Sequence, residues 1–198
     1  MKKLLLSLLL LLICSATAFA LPDPQKEVAK MVDSVLEVLQ RTDLDTAQKK
    51  AMVSGRVQKF LNIQSMAERT LGPYWAGATA EQRQQFSDLF LKVLEGTYLN
   101  RIDDYSNGTV KYLMQRVKDD KAIVDTSIVQ KDLEIPVQYK MIYENGSWQV
   151  FDLVIEGVSL IRNYRSSYGE IIRRDGYDGL LALMQKKVAE MDNRKSVQ

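Results

Sequence analysis

Four successive strand-like segments, joined by very short connections, occupy the middle of the chain. A parallel crossover needs a dozen or more residues, so links of this length allow only antiparallel pairing between neighbours. Asn145-Gly146, between the last two segments, is the preferred dipeptide for a tight hairpin. The sequence therefore predicts a four-stranded antiparallel meander. Its strands are expected at residues 109–117, 122–130, 134–143 and 148–156.

Apolar residues at helical spacing precede the meander. Asp23 followed by Pro24 is typical of a helix start. Thr79 with Gln82 three residues later matches a capping box, and so does Asp45 with Gln48. These signals predict four helices on the N-terminal side. The helices are expected at residues 24–39, 46–60, 63–71 and 80–102.

The chain passes from strand to helix within residues 156–159. Gly157 permits an unusual backbone angle, and Ser159 is a natural N-cap for the helix that follows. Asp175-Gly176 is expected to break that helix before a last one begins. Helices, a meander and again helices indicate an α+β domain.

The first twenty residues have the pattern of a secretory signal peptide. Two lysines precede an apolar block at residues 4–13, which is about half of the roughly 20 residues needed to span a bilayer. We therefore expect residues 1–20 to be cleaved and the protein to be exported. Residues 21–198 are long enough for one domain with a substantial core.

Composition excludes most catalytic chemistry. The chain has no histidine, and its one cysteine, Cys14, lies in the expected signal peptide. Disulfides, thiolate nucleophiles, Cys/His metal sites and imidazole chemistry are therefore not expected in the mature protein. Removal of the two lysines of the signal peptide lowers the number of basic residues from 27 to 25, which equals the number of acidic residues. That balance does not favour nucleic-acid binding.

Asp152 and Glu156 form the best pair of candidate catalytic residues. Four residues apart on one predicted strand, they would share a face, and burial could adapt them to general acid-base work. The structural alternative is that one of them lies at a strand end and the other pairs with a basic neighbour. The sequence contains no glycine-rich phosphate loop, nucleophile elbow or calcium loop, so we expect no bound metal and no cofactor.

Several tyrosines and methionines would suit the mouth of an amphipathic pocket, where rings face hydrocarbon and hydroxyls face water. An ordinary core explains them as well. Arg165, on the helix after Ser159, could meet a phosphate. Solvation of the surface is the alternative for this arginine.

The chain resembles the MlaC, or toluene-tolerance auxiliary, family over nearly its whole mature length. The most specific portion is residues 156–160 followed by Asn163-Tyr164-Arg165, and the Thr79 helix start also fits the family pattern. Members are periplasmic carriers that move phospholipids between the two membranes of Gram-negative bacteria and so support outer-membrane lipid asymmetry.

The resemblance implies a curved sheet and surrounding helices that enclose an apolar cavity for both acyl tails, with the headgroup near the surface. It also implies two partners, an inner-membrane ABC transporter that docks through its MCE subunit and an outer-membrane lipoprotein-porin complex. Arg165 is the implied headgroup contact. The expected tail-pocket residues are Tyr98, Tyr105, Tyr112, Val137, Tyr139, Met141, Val154, Leu160, Tyr164 and Tyr168.

A diacyl lipid exposes on the order of 30 methylenes, and at about 0.8 kcal/mol each its transfer through water would cost more than roughly 20 kcal/mol. A carrier thus needs a cavity near or beyond the upper end of about 300–1,000 Å³, and no catalytic residue. Two alternatives stay open: an enzyme that uses Asp152 or Glu156 on a similar scaffold, and a chaperone-like interaction module whose apolar residues are only core.

Overall fold

A computed structural model describes residues 21–99, 108–131 and 133–195. The expected signal peptide at residues 1–20 lies outside the described residues. Among these described residues, six α-helices and five strands follow one another in the order helices, sheet, helix. The helices are α1 (Pro24–Leu39), α2 (Thr46–Val57), α3 (Ile63–Leu71), α4 (Pro73–Gly77), α5 (Ala80–Tyr98) and α6 (Leu160–Lys195), with a 3-10 turn at Gln58–Phe60. The strands are β1 (Thr109–Lys118), β2 (Lys121–Gln130), β3 (Leu133–Glu144), β4 (Ser147–Ile155) and β5 (Val158–Ser159).

Local capping chemistry sets the helix starts, as the sequence predicts. The Asp23 carboxylate accepts a hydrogen bond from the backbone N–H of Gln25 at 3.0 Å, ahead of Pro24. Thr79 and Gln82 form a capping box, in which each side chain accepts from the other residue's backbone N–H. These contacts satisfy N–H groups that have no partner within the helix.

The sheet has five antiparallel strands in the order β1-β2-β3-β4-β5, and the predicted four-stranded meander is therefore one strand short. The fourth strand ends at Ile155, and Glu156 and Gly157 form a tight turn with φ values of 50° and 82°. Val158–Ser159 then pairs back onto the end of β4. The turn residues with positive φ match the geometry preferred for a two-residue hairpin.

A β-bulge at Phe151 changes which residues of β4 face inward. Met141 pairs with Val150, whereas Lys140 pairs with Asp152, so Phe151 has no opposite residue. An extra residue in one strand reverses the side-chain alternation beyond it. Val150 therefore faces inward before the bulge, whereas the odd-numbered residues Leu153 and Ile155 face inward after it.

Two large apolar clusters hold the elements together. One fills the space among α3, α5 and α6, and the other lies between α1 and the sheet and includes the fully buried Trp148. The Trp148 indole N–H donates to the carbonyl of Pro22 at 2.6 Å, so the start of α1 is fixed to the sheet. A small third cluster joins α1 to α2.

The C-terminal helical region bends at Gly176, as the sequence predicts. Its backbone angles are φ 76° and ψ 179°, which are not helical. Helical structure resumes on the far side, and Leu180 and Met184 return to the first cluster. None of the helices in the described ranges combines the length and the hydrophobicity that a bilayer span requires.

Candidate ligand-binding cavity

The larger of two adjoining apolar cavities, called the main cavity below, has a volume of about 240 Å³ and lies between the inner face of the sheet and the helices. Asn62 donates its backbone N–H to the carbonyl of Val150 at 2.9 Å, which holds the neighbouring Leu61 against β4. The lining is almost entirely hydrocarbon. The apolar lining residues are Met31, Val57, Leu61, Met66, Leu91, Leu94, Leu99, Ile128, Val137, Val150, Leu153, Ile155 and Leu160, with the ring of Tyr139 beside them.

A second cavity, of about 180 Å³, lies between α1 and the first two strands. Met31, Ile128 and Tyr139 line both cavities, so these three side chains divide one apolar region into two. Together the two cavities reach only the lower part of the range of about 300–1,000 Å³ for ligand sites. Among the described residues, two smaller apolar cavities therefore stand in place of the expected single large one.

Polar residues gather at one end of the main cavity. Ser54 and Gln58, at the end of α2, face Glu95 and Tyr98 on α5. The Gln58 amide donates to Glu95 Oε1 at 2.7 Å and to the Ser54 hydroxyl oxygen at 3.0 Å, and the Ser54 hydroxyl donates to the same Glu95 oxygen. Tyr98 is 40% exposed, so this end of the cavity reaches solvent.

The tyrosines of the cavity are held in the neutral form. Burial raises the pKa of Tyr139 to about 12, and burial, with a smaller contribution from Tyr164, raises the pKa of Tyr98 to about 12. Desolvation disfavours the charged phenolate. Both rings can therefore face hydrocarbon without introducing a charge.

The structure separates the predicted pocket residues into distinct environments. Tyr98, Val137, Tyr139 and Leu160 line the main cavity. Five others are not among its lining residues, and Tyr105 lies outside the described residues. Those five are Tyr112, Met141, Val154, Tyr164 and Tyr168, of which the first two belong to the cluster between α1 and the sheet.

Val154 is displaced by the bulge at Phe151. Without the bulge, Val150, Asp152 and Val154 would share one face by simple alternation. Beyond it, Leu153 and Ile155 pair with Tyr139 and Val137 and line the cavity. Val154 instead belongs to the opposite face of the sheet.

Tyr164 and Tyr168 pack in the helical cluster and are not among the residues that line either cavity. Tyr164 meets Phe90 edge to face at a centroid distance of 5.3 Å, and Tyr168 meets Phe86 at 5.9 Å. Such edge-to-face pairs stabilise a core beyond the area that they bury. Their helical spacing was a correct sign of a buried face, but that face packs against α5.

Arg165 has a structural contact away from the cavity lining. Its guanidinium donates from Nε to the backbone carbonyl of Arg69 at 2.6 Å, and Nη2 contacts the same oxygen. Arg69 lies in the last turn of α3, where carbonyls lack helical partners. Arg165 therefore caps the C-terminal end of α3.

Asp152 and Glu156 do not form a carboxylate pair on one strand, because Glu156 lies in the turn after β4. The buried Asp152 is paired with Lys140 at 2.9 Å and accepts hydrogen bonds from the Ser159 hydroxyl at 2.7 Å and the Ile161 N–H at 3.2 Å. Ser159 in turn caps α6 by accepting from the Arg162 N–H at 3.1 Å, as predicted. The carboxylate of Asp152 thus fixes the strand-to-helix connection.

Sequence reasoning missed the polar end of the cavity. Leu91, Glu95 and Tyr98 follow one another at spacings of four and three residues on α5. A carboxylate within such an apolar stripe was the signal in the sequence that could have indicated this polar end.

No group of His, Cys, Asp or Glu that could hold a metal ion occurs among the described residues.

The fold and the cavities define a class of protein, an α+β domain that encloses a divided hydrocarbon-lined space between an antiparallel sheet and helices. A model of the MlaC protein family matches residues 29–186, which is most of the chain. The chain belongs to the MlaC family.

Relatives and a solved structure agree with this assignment. The intermembrane phospholipid transport system binding protein MlaC of Haemophilus influenzae is 23% identical over 147 residues, 71% of this chain and 69% of the relative. Toluene tolerance protein ttg2D of Pseudomonas putida is 27% identical over 107 residues, 53% of this chain and 50% of the relative. A phospholipid-binding protein from Ralstonia solanacearum, solved in complex with a phospholipid, superimposes with a TM-score of 0.79 at 25% identity and covers 86% of this chain and 99% of its own.

Proposed function

We propose that this protein is a periplasmic phospholipid carrier, which takes lipids out of one membrane and delivers them to another. The observation that carries the proposal is the hydrocarbon-lined cavity between α5 and the sheet, whose apolar wall opens to solvent beside Tyr98. The family membership and the phospholipid-bound structural relative support it.

The energetics of lipid transfer explain why a cavity suffices. Each methylene brought into an apolar environment contributes about 0.8 kcal/mol, so even partial burial of acyl tails offsets a large cost of crossing water. No bond needs to be made or broken. The cavity therefore has to exclude water and need not supply a reactive group.

The proposed tail pocket combines predicted residues with residues that the cavity adds. Tyr98, Val137, Tyr139 and Leu160 would contact acyl chains together with Leu153 and others on the same wall. Met31, Ile128 and Tyr139 stand between the two cavities, so their side chains would move apart when long tails enter. Because interiors are close-packed, this movement would also displace the side chains that pack against these three residues.

Export and docking complete the proposal. Residues 1–20 would direct the chain to the periplasm and be cleaved. The partners would be an inner-membrane ABC transporter, met through its MCE subunit, and an outer-membrane lipoprotein-porin complex. The name of the Haemophilus influenzae relative, which describes an intermembrane transport system, supports partners of this kind.

Catalysis by Asp152 is not favoured. Both of its carboxylate oxygens accept hydrogen bonds from the segment that begins α6, and Lys140 is paired with one of them. The proposed carrier function requires no catalytic residue and no cofactor.

A vesicle-uptake assay tests the proposal. Purified mature protein is stripped of lipid, incubated with phospholipid vesicles and separated from them by sedimentation. We expect phospholipid to remain with the protein in the supernatant in near-stoichiometric amount. Phospholipid confined to the vesicle pellet would contradict the carrier function.

A further inference from the structure

Glu95 is the single charged residue that lines either apolar cavity in the described part of the chain. It lies at the polar end of the main cavity with Ser54, Gln58 and Tyr98, whereas the remaining wall is hydrocarbon. A lipid with its tails in the apolar part would have its headgroup at this end. Among the described lining residues, the charge at that end of the cavity is negative.

The hydrogen bonds of Glu95 leave half of its carboxylate available. The Ser54 hydroxyl and the Gln58 amide both donate to Oε1, the latter at 2.7 Å. Oε2 has no hydrogen-bond or ion-pair partner in the described structure, and Glu95 forms no salt bridge with a lysine or arginine there. The network thus orients the carboxylate and leaves one oxygen able to accept from a ligand.

We propose that Glu95 makes this carrier selective for phospholipids whose headgroup ends in a primary ammonium, an inference that rests on the proposed carrier function. An ammonium group offers a positive charge and three N–H donors to Oε2. A choline headgroup offers the charge without a donor, and a glycerol headgroup leaves the lipid with a net negative charge. The expected order of preference is therefore ethanolamine, then choline, then glycerol.

The contacts of Arg165, the other candidate headgroup residue, support selection of an ammonium headgroup. The guanidinium of Arg165 is bonded to the carbonyl of Arg69, and the residue is not among those that line the cavity. Among the described lining residues there is consequently no cation to attract the lipid phosphate. The charge on the terminal group of the headgroup is therefore the remaining basis for selection.

A competition experiment tests the inference. Lipid-free protein is incubated with phosphatidylcholine vesicles that contain equal amounts of phosphatidylethanolamine and phosphatidylglycerol, and the lipids recovered with the protein are measured by mass spectrometry. We expect the wild-type protein to be enriched in the ethanolamine lipid over the glycerol lipid by roughly two- to fivefold, the range that partly exposed ion pairs supply.

Glu95→Gln retains an oxygen and the approximate shape of the side chain but removes the charge, so the enrichment should be lost. Glu68→Gln, at an exposed carboxylate on α3, is the matched control and should keep it. Equal uptake of the two lipids by the wild-type protein would overturn the inference, as would an unchanged ratio in a lipid-loaded Glu95→Gln protein; in both cases the carrier function would stand. Absence of any bound lipid in the wild type would instead remove the proposed function.

Discussion

The carboxylate of Asp152 accepts a hydrogen bond of 2.7 Å from the hydroxyl of Ser159, across the turn that joins the sheet to α6. Asp152 is only 4% exposed, and it also meets Lys140 and the first turn of the helix. A negative charge near a helix N-terminus is stabilising. The pair therefore fixes the direction in which α6 leaves the sheet.

Asp152→Asn should destabilise the protein by about 2–4 kcal/mol, because the substitution removes a buried charge that is hydrogen-bonded and paired with Lys140. Urea denaturation measures this change in the free energy of unfolding. Glu156→Gln, in the exposed turn, is the control and should stay within about 0.5 kcal/mol of the wild type. A fully stable Asp152→Asn protein would mean that the carboxylate does not hold the connection.

Ile128→Trp should reduce lipid loading several-fold while the protein stays folded. Ile128 lines both cavities, so a larger side chain there would occupy the space proposed for acyl tails. The matched control is Leu183→Trp, at a position on α6 that is 45% exposed. Loading is measured by lipid extraction and folding by circular dichroism; normal loading of the folded Ile128 variant would place the tails elsewhere.

Tyr164→Ala should cost about 3–5 kcal/mol of stability, the amount typical of large aromatic truncations in a core. The ring packs against Phe90 in the helical cluster. Tyr164→Phe keeps that ring contact and should cost much less. If Tyr164→Ala kept its stability and lost only lipid, the residue would be part of the ligand pocket after all.

Alkaline pH should destabilise the fold through its buried tyrosines. Tyr98 and Tyr139 have folded-state pKa values raised from 10.0 to about 12. Their contribution is complete below pH 10 and is lost as pH rises towards 12, because the unfolded state releases the phenolic protons first. The urea midpoint should fall over this window, and less so in a Tyr98→Phe, Tyr139→Phe double variant. Equal falls in both proteins would exclude these tyrosines as the cause.

Gly176→Ala should destabilise the protein by about 1–3 kcal/mol, since the backbone at φ 76° and ψ 179° is essentially restricted to glycine. Gly55→Ala is the contrasting variant, because we expect it to change the stability in the opposite direction. Gly55 lies within α2, and an added methyl group would have no neighbour within 4 Å, so alanine should stabilise by up to about 1 kcal/mol. Thermal denaturation of both variants checks the pair; a harmless Gly176 substitution would show that the bend is not fixed.

Local chemistry made much of the fold predictable. Thr79 with Gln82 and Asp23 with Pro24 act within a few residues of themselves, so the sequence specifies these helix starts directly. Asn145-Gly146 likewise forms its hairpin turn, with positive φ at both residues. Signals of this kind depend little on the rest of the molecule.

Features that depend on tertiary pairing could not be predicted from local sequence signals. The bulge at Phe151 carries no local signal, yet it reverses the facing of Val154. The two-residue strand Val158–Ser159 is too short for periodicity to reveal. Helical spacing correctly marked Tyr164 as buried, but spacing identifies a face and not the element that the face contacts.

Native mass spectrometry of the mature protein, purified from cells without added lipid, tests whether the protein carries phospholipid. We expect a bound mass equal to that of a phospholipid, which organic solvent removes. The fraction of protein that carries this mass should fall several-fold in Ile128→Trp but not in Leu183→Trp. A protein that carries no lipid mass as isolated, and gains none after incubation with phospholipid vesicles, would contradict the carrier function.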